Sequence, residues 1–420
     1  MSMRRTFLPS VVLFLIISVE VHAQNTRVLF IGNSFTYVND LPGLFTQLAA
    51  SMGETVQTGM SAPGGYTFQG HTTLPATTAA LAQGDWDYVV LQEQSQLPSF
   101  PPAQVATDCY PYAAQLAQQA RAANPCVEVI YMMTWGKENG DDTNCASWPP
   151  VCTYEGMQQR LHESYVQMAV DNSAWCAPVG EVWRQHREQF PAMGLYSDGS
   201  HPNIIGSYIA ASTLCATIFR RTCEPATSEP GGMPAGQAAI IRTLASGVVL
   251  TSEEWNIGVN DPVAEASWNN VGGNDALFAN NTTGAVSQEW HFGDGAISTD
   301  VDPMHTYANT GAYTVTLIVA DVCGRTDTLQ IMIDLAASVA DASTSAGPVV
   351  KLEASGGVNM IVVSATSGLL EVLDTQGRAL ALWVVSGSQR YALPDAARGT
   401  ILWRLTGTSG RRTAGRLIVP

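Results

Sequence analysis

The chain has 420 residues, of which 46% are hydrophobic and 13% charged, and its formal net charge is −16. This length exceeds the ~100–200 residues of one ordinary domain, so several domains are expected, and the hydrophobic content excludes wholesale disorder. The acidic balance, with no clustered Lys/Arg stripe along the sequence, argues against nucleic acid as a partner.

Residues 1–23 have the features of a secretory signal peptide. Arg4 and Arg5 give a positive start, 11–19 is a nearly unbroken apolar run, and 21–23 (VHA) place small residues at the −3 and −1 positions of a cleavage site. We therefore expect cleavage after residue 23 and export of the rest. The alternative is an N-terminal membrane anchor, for which the apolar run is short.

Residues 24–253 alternate short apolar runs with helical patterns. Strands are predicted at 26–31, 87–92 and 127–133, and helices at 41–52, 111–123, 154–170 and 204–219. Strands separated by helical segments of this length favour parallel pairing with right-handed crossovers. The pattern predicts an α/β domain built on a parallel sheet.

The rest of the chain has the character of β-structure. Residues 254–336 lack a convincing helical pattern, and 314–319 and 328–333 are typical of strands between Gly/Asp/Asn turns, as in a small β-sandwich. Residues 337–347 are small and polar, which indicates a linker. Residues 348–420 again contain short apolar runs separated by turn residues. Two all-β modules are therefore predicted after the α/β domain.

Eight cysteines in an exported chain indicate disulfides rather than metal ligation, because no CxxC spacing with a nearby His occurs. Seven lie between Cys109 and Cys223, and Cys323 stands apart. Cys145 and Cys152 flank the short loop ASWPPV and are predicted to pair. The pairing of the others stays open.

Ser34 follows the first predicted strand in the run FIGNSFT. At the carboxyl edge of a parallel sheet, ligands and catalytic groups gather near helix N-termini. A serine there can present its hydroxyl to a cleft, with the following backbone N–H groups aimed at the same point. On its own, the pattern fits a helix N-cap equally well.

A second pattern supplies a base for such a serine. The run DGSHP places Asp198 three residues before His201, on a loop that precedes a predicted helix. A neutral imidazole can accept the proton of a serine hydroxyl, and a carboxylate can hold the imidazole in the required tautomer. Taken alone, the two residues fit a turn aspartate and a surface histidine.

Together, FIGNSFT, the turn PGGYT at 63–67 and DGSHP resemble the SGNH (GDSL-type) hydrolase family over about residues 25–220. The resemblance implies a flavodoxin-like parallel sheet with Ser34 as nucleophile, His201 as base and Asp198 as its partner. It also implies an oxyanion hole that includes the N–H groups of Ser34 and Gly65. The α/β-hydrolases share the order Ser, Asp, His, but the G-x-S-x-G of that fold is absent here.

The third element of the implied oxyanion hole departs from the family pattern. Where SGNH hydrolases carry GxND after a strand, this chain has LQEQS at 91–95. Gln94 takes the place of the Asn if the strand ends coincide, and Gln92 is the competitor. The motif resembles that of a bacterial SGNH subgroup with a QEQS-like third block.

The two β modules carry resemblances of their own. The runs WHFGDG at 290–295, HTY at 305–307 and GAYTV at 311–315 resemble the PKD module, which implies an Ig-like sandwich for spacing or adhesion. Asp294 and His305 are then structural. The runs LEVLDTQGR and GRLIV in the last module resemble the C-terminal sorting domain of type IX secretion, which implies outer-surface attachment through secretion machinery. A generic second β-sandwich is the alternative.

Five other side chains are less suggestive of chemistry. We expect His71, His162, His186 and Glu181 on solvated helix faces. Trp135 ends a predicted strand, where it either lines the site or packs in the core or rim.

The sequence thus predicts a secreted serine esterase that hydrolyses ester groups, acetyl groups by preference, on carbohydrate through an acyl-enzyme on Ser34. Its expected partner is an acylated small molecule or polysaccharide, and no metal or organic cofactor is required. One alternative is a lipid or short-chain acyl esterase. The other is a non-catalytic surface adhesin with a degenerate site. The sequence makes no prediction about the oligomeric state.

Overall fold

The computed structural model describes residues 25–234, 236–335, 349–355, 358–364, 367–374, 378–386, 389–394, 399–407 and 412–419. The predicted signal peptide and the predicted linker lie outside the described residues. The described residues belong to two compact units. The first falls within Met1–Asn269, Ala276–His305 and Tyr313–Ile333, and the second within Asn270–Asp275, Thr306–Ala312 and Asp334–Pro420.

The first unit contains a five-stranded parallel sheet. Its strands are β1 (Asn25–Ile31), β2 (Thr55–Ser61), β3 (Tyr88–Leu91), β4 (Glu128–Met132) and β5 (Trp175–Ala177). They lie in the order β2-β1-β3-β4-β5, with Ile31 of β1 level with Ser61 of β2 and Leu91 of β3. This is the flavodoxin-like strand order of doubly wound folds, so the predicted fold class is confirmed.

Helices connect and cover these strands. They are α1 (Ser34–Tyr37), α2 (Leu41–Ser51), α3 (Phe68–His71), α4 (Pro75–Leu81), α5 (Pro102–Asp108), α6 (Tyr110–Ala123), α7 (Tyr154–Asp171), α8 (Val179–Gln189), α9 (Ile204–Phe219) and α10 (Gln237–Leu250). Short 3₁₀ turns occupy Val38–Asp40, Leu97–Ser99, Pro149–Cys152 and Glu253–Trp255. Asn203 caps α9 by accepting hydrogen bonds from the N–H groups of Ile205 (2.9 Å) and Gly206 (3.1 Å).

The carboxyl-terminal parts of β1, β3 and β4 are apolar because helices cover both sheet faces. Val28 to Ile31 of β1 and Val129 to Met132 of β4 are completely buried. The edge strand β2 has the polar sequence TVQTGMS, and β5 has three residues. Neither edge strand is among the strands predicted from the sequence. Within the part of the chain that the structure describes, no helix is both long and apolar enough to cross a bilayer.

Residues after the α/β part form antiparallel strands. They are β6 (Ala266–Gly272), β7 (Asp275–Asn280), β8 (Ser287–His291), β9 (Ile297–Ser298), β10 (Met304–Thr306), β11 (Gly311–Ala320) and β12 (Thr326–Leu335). They form one sheet in the order β10-β7-β6 and another in the order β12-β11-β8-β9. His305 lies 2.8 Å from the Asp294 carboxylate and stacks on Phe292 at 4.1 Å, so this pair makes structural contacts.

The last described segments are also antiparallel strands. They are β13 (Val349–Ser355), β14 (Val358–Ser364), β15 (Ser367–Leu373), β16 (Ala379–Ser386), β17 (Gln389–Ala392), β18 (Gly399–Gly407) and β19 (Arg412–Val419). The sheets run β13-β14-β17 and β16-β15-β18-β19, around buried Ile361, Leu370 and Ile401. The prediction of two all-β segments after the α/β part is confirmed.

Two disulfides are present among the eight cysteines. Cys145 pairs with Cys152, as predicted, and Cys126 pairs with Cys323 across a separation of 197 residues. The second bond joins the loop before β4 to the turn after β11, inside the first unit. Beside it, Arg325 forms ion pairs with Glu128 and with Asp321. The other four cysteines are free and buried, namely Cys109, Cys176, Cys215 and Cys223.

Candidate active site

Ser34 is the first residue of α1, directly beyond the carboxyl end of β1. Asn33 caps this helix, because its Oδ1 accepts a hydrogen bond from the N–H of Phe35 at 3.1 Å. The Asn33 amide also donates to the carbonyl of Tyr66 at 2.9 Å. The loop after β1 is thereby joined to the loop that carries Gly65.

The structure brings Ser34, His201 and Asp198 together. Ser34 Oγ lies 2.9 Å from His201 Nε2, and His201 Nδ1 lies 2.7 Å from Asp198 Oδ2. Asp198 Oδ1 also accepts hydrogen bonds from the N–H groups of Ser200 (3.0 Å) and His201 (2.7 Å). The three side chains form the continuous hydrogen-bonded order expected of a nucleophile, a base and its orienting carboxylate.

The Asp198 carboxyl group is held in its ionised form. The hydrogen bond from the His201 N–H lowers the pKa of Asp198 below its ordinary value, and the contacts of the His201 ring and the Ser200 N–H act in the same direction. The Asp198 side chain is 54% exposed, so water screens these interactions. An ionised Asp198 can accept the Nδ1–H of His201, which leaves Nε2 free to act as the base.

An aromatic stack supports the loop that carries His201. Trp135 stacks between Phe35 at 4.6 Å and Trp183 at 4.1 Å, and its Nε1 donates to the carbonyl of Ser200 at 3.0 Å. Phe35 presents its ring edge-to-face with His201 at 5.5 Å. Trp135 is 1% exposed, so it is a core residue that contacts the site from behind.

The Ser34 hydroxyl opens into a pocket of about 350 Å³. The pocket is lined by Asn33, Ser34, Phe35, Tyr37, Gly64, Gly65, Gln94, Ser95, Ser200 and His201. Gly65 has a φ of +70°, in the left-handed region that favours glycine, and a Cβ there would meet no atom within 4 Å. Its backbone therefore borders the open pocket. A larger groove of about 530 Å³ between α7, α8 and α10 contains none of the predicted site residues.

Gln94 and Gln92 differ in where their side chains lie. Gln94 lines the pocket, and its Oε1 accepts hydrogen bonds from the N–H groups of Gln96 (2.9 Å) and Leu97 (3.1 Å). Gln92 is completely buried, and its Oε1 accepts from the N–H of Asn33 at 3.0 Å. The Gln92 carboxamide therefore supports the loop after β1 from beneath, whereas Gln94 lines the pocket and its carboxamide is held by the turn that follows it.

The expectation of solvated helix faces is wrong for His71 and His186. His71 is completely buried, and its Nε2 lies 2.8 Å from the carbonyl oxygen of Gly32 in the loop after β1. Burial lowers the pKa of His71, so a neutral ring that donates Nε2–H to Gly32 fits the contact. His186 is also completely buried, and burial lowers its pKa to about 4. Each ring meets a buried polar group, namely the Gly32 carbonyl for His71 and the Gln237 carboxamide, whose Nε2 lies 2.6 Å from His186 Nε2.

Two further side chains from the same group have ion-pair partners. His162 is half-buried and lies 2.8 Å from Glu254. The Glu181 carboxylate is 13% exposed and pairs with Arg184. Neither lies in the pocket beside Ser34. No group of three or more His, Cys, Asp or Glu side chains is placed to hold a metal ion among residues whose positions are described.

Sequence reasoning missed two residues that hold the site together. Asn39 donates to the carbonyl of Pro202 at 3.1 Å and to Ser207 Oγ at 2.9 Å, which joins the nucleophile loop to the histidine loop. Glu93 is a completely buried acid between the two glutamines. The sequence signal for Glu93 was its position directly after a buried strand. An acid at such a position either reaches solvent or needs buried hydrogen-bond donors.

Residues 259–334 match the family model of the PKD domain, which confirms that predicted module. No curated protein matches the chain. Among solved structures, the chain is similar to a DUF4886 family protein from Bacteroides uniformis (19% identity, TM-score 0.47, 54% of this chain and 95% of that chain). It is also similar to a candidate SGNH hydrolase from Slackia heliotrinireducens (29% identity, TM-score 0.38, 46% and 99%). A catalytic variant of an acetylxylan esterase from Geobacillus stearothermophilus aligns likewise (18% identity, TM-score 0.33, 46% and 94%). The structural neighbours of the chain thus include SGNH hydrolases.

Proposed function

We propose that the chain is an SGNH-type serine esterase that removes acetyl groups from carbohydrate through an acyl-enzyme on Ser34. The observation that carries the proposal is the hydrogen-bonded series from Ser34 Oγ through His201 to Asp198, with distances of 2.9 and 2.7 Å. A series of this kind can move the proton of a serine hydroxyl to an imidazole and stabilise the imidazolium that results.

The reaction follows from this geometry in two steps. Ser34 Oγ attacks the ester carbonyl while His201 Nε2 takes its proton, and the tetrahedral intermediate then expels the sugar oxygen, which receives that proton from His201. Water next attacks the acyl-enzyme and gives its proton to His201. Collapse of the second intermediate returns the proton from His201 to Ser34 Oγ and releases acetic acid, which ionises to acetate in water. Asp198 holds the Nδ1–H of His201 throughout.

Three donors are assigned to the oxyanion. They are the N–H groups of Ser34 and Gly65 and the carboxamide of Gln94, all from residues that line the pocket. Donors fixed before the reaction stabilise the charge that develops on the carbonyl oxygen. Gln92 is not assigned this role, because its carboxamide is buried against Asn33 and Thr36.

The pocket lining supports a small acyl group on a neutral, hydroxyl-rich substrate. Apart from His201, the polar side chains of the lining are hydroxyls and carboxamides. The titratable groups of the lining are His201 and the Tyr37 phenol. Phe35 is 3% exposed, so the exposed aromatic surface of the lining comes from Tyr37, which is 44% exposed. The pocket volume of about 350 Å³ favours a small acyl group. Carboxamides and hydroxyls can exchange hydrogen bonds with sugar hydroxyls.

We further propose that the protein is exported and that it belongs to the SGNH subgroup with a QEQS-like third block. The signal-peptide pattern of residues 1–23 and the disulfides Cys145–Cys152 and Cys126–Cys323 support an oxidising compartment. The PKD domain would then act as a spacer or adhesive module. The last module would direct the chain to the outer surface, as a type IX sorting domain does.

The proposal is tested by comparing the wild type with Ser34→Ala on p-nitrophenyl acetate, p-nitrophenyl octanoate and an acetylated oligosaccharide. We expect turnover of the acetate and of the oligosaccharide, loss of both in the variant, and labelling of Ser34 by a fluorophosphonate. Faster turnover of the octanoate would favour a lipid esterase. If the wild type neither turns over nor is labelled, the proposal fails and a non-catalytic adhesin is the better reading.

A further inference from the structure

A buried carboxyl group lies between the two loops to which the oxyanion donors are assigned. Glu93 is completely buried, and its Oε1 and Oε2 accept hydrogen bonds from the N–H of Phe68 at 2.9 and 3.0 Å. Its Oε1 also accepts from the N–H of Gln94 at 2.6 Å. Phe68 begins α3, three residues after Gly65, so one carboxyl group contacts both loops.

Among the described residues that face this carboxylate, no cation offsets its charge. From the junction between α5 and α6, the thiol of Cys109 makes a hydrogen bond to Glu93, and from α7, the hydroxyl of Tyr165 accepts from the Glu93 N–H at 3.3 Å. Burial raises the pKa of Cys109 and of Tyr165 well above their ordinary values, so both stay neutral. The ionised form of Glu93 is therefore held by backbone N–H groups of the two loops and by this thiol.

We propose that Glu93 is a positioning residue that fixes the Gly65 loop against the Gln94 loop and so sets the geometry of the oxyanion hole. The inference rests on the proposed function. One backbone partner belongs to Gln94 itself, and the other, Phe68, lies three residues after Gly65, so a displacement of either loop moves a donor relative to Ser34. Misplacement by about 1 Å at a catalytic centre can cost roughly 100-fold in rate.

The hydrogen bonds by which Glu93 holds the two loops depend on its protonation state. Burial raises the pKa of Glu93 to about 8, although the hydrogen bonds from Gln94 and Phe68 oppose this rise. A protonated carboxyl group has an O–H facing N–H donors and holds the loops less well. Turnover should thus rise with pH through about 8. The free energy of unfolding should change in the opposite sense, because the pKa of Glu93 in the folded state lies above its ordinary 4.5. The contribution of Glu93 to stability is therefore complete below pH 4.5 and is lost as pH rises through about 8.

The experiment compares Glu93→Gln with the wild type and with Glu128→Gln. Glu128 is a matched control, since it is also a buried carboxyl group (5% exposed) with a raised pKa, but it contacts Asn260 and Arg325 away from the pocket. Hydrogen exchange of the amides in 64–71 and 93–97 reports on the two loops. Steady-state kinetics on p-nitrophenyl acetate between pH 5.5 and 9.5 (about the range in which a group near pH 8 titrates) report on the oxyanion hole.

Above pH 8, where Glu93 of the wild type is ionised, we expect Glu93→Gln to speed exchange in both segments and to lower kcat by roughly 10–100-fold with KM little changed. The rise of kcat near pH 8 should be absent from the variant. Glu128→Gln should do none of these. Unchanged exchange in Glu93→Gln overturns the inference, whether or not the wild type is an esterase. Faster exchange with an unchanged kcat in an active wild type overturns the link to the oxyanion hole, and an inactive wild type refutes the proposed function instead.

If Glu93→Gln does not fold, Glu93→Asp carries the same test. Aspartate keeps the charge but is shorter by one methylene, so it can hold one of the two N–H partners at the observed distances. We expect faster exchange in one segment and a smaller loss of kcat. Wild-type exchange and kcat in Glu93→Asp would overturn the inference.

Discussion

The Gln94→Ala substitution is expected to lower kcat with KM nearly unchanged and with a smaller loss of stability than Gln92→Ala, because the two N–H groups that Gln94 Oε1 accepts from are only partly buried. The Gln94 Oε1 is fixed by the N–H groups of Gln96 and Leu97, and one Nε2 hydrogen donates to Gln96 Oε1 at 3.2 Å. We assign the second Nε2 hydrogen to the oxyanion. Loss of one such side-chain donor costs roughly 10²–10³ in kcat, or about 2.7–4 kcal/mol, because the donor acts mainly in the transition state.

The neighbouring substitution Gln92→Ala has a different expected outcome. Gln92 Oε1 accepts hydrogen bonds from the N–H of Asn33 (3.0 Å) and the hydroxyl of Thr36 (2.9 Å), and all three groups are buried. Each donor left without a partner costs ~1–3 kcal/mol. We therefore expect the free energy of unfolding to fall by about 2–6 kcal/mol, with a smaller loss of turnover than in Gln94→Ala.

Two measurements separate these outcomes, namely denaturant unfolding and steady-state kinetics on p-nitrophenyl acetate. Gln94→Asn serves as a control, since its amide is one methylene shorter and should restore kcat only in part. If Gln92→Ala loses turnover at full stability and Gln94→Ala does not, the donor is two residues from the assigned position. If neither variant loses turnover, backbone donors alone form the oxyanion hole.

Three further results are expected. Ser34→Ala and His201→Ala should each lower kcat by roughly 10⁴–10⁶-fold, and the double variant should be little worse than either; multiplicative losses in kinetic assays would contradict a shared proton-transfer role. Replacing Cys126 and Cys323 by serine should lower the free energy of unfolding by up to about 5 kcal/mol, from loop closure over 197 residues, and an unchanged denaturant midpoint would count against it. Mass spectrometry of the exported protein should find Gln24 at its N-terminus, and a retained leader would argue for a membrane anchor.

The sequence predicted the strands that contain continuous apolar runs. Strands β1, β3 and β4 each contain an apolar run of four residues because both sheet faces are covered, and such runs stand out in a sequence. Strand β2 was missed because, at the sheet edge, it alternates exposed and partly buried residues. The pairing of Cys126 with Cys323 is set by the docking of two segments 197 residues apart, which no local pattern encodes.

The residues of the candidate site also differ in whether the sequence predicts them. Ser34 begins α1, Asp198 and His201 lie on the loop before α9, and the motifs of all three could be found in the sequence. The roles of His71 and Glu93 could not, because they depend on which backbone groups the fold places beside them. The position of Glu93 after a buried strand signals only that it needs hydrogen-bond donors or solvent. The sequence predicts an exposed helix residue at His71, whereas in the structure its ring lies 2.8 Å from the buried carbonyl of Gly32.

The contrast between exposed and buried groups explains how the nucleophile can be placed accurately. The Asp198 and His201 side chains are 54% and 37% exposed, so water weakens their mutual attraction and electrostatics alone cannot fix Ser34. The backbone before Ser34 is instead held from below by buried bonds, through Gln92 at Asn33 and His71 at Gly32. Gly32 lies so close to Gln92 and Thr36 that a Cβ there would fall 2.6 and 2.4 Å from their oxygens. The position of Ser34 is thus fixed by buried contacts in the core, whereas its reactivity depends on the more exposed side chains of His201 and Asp198.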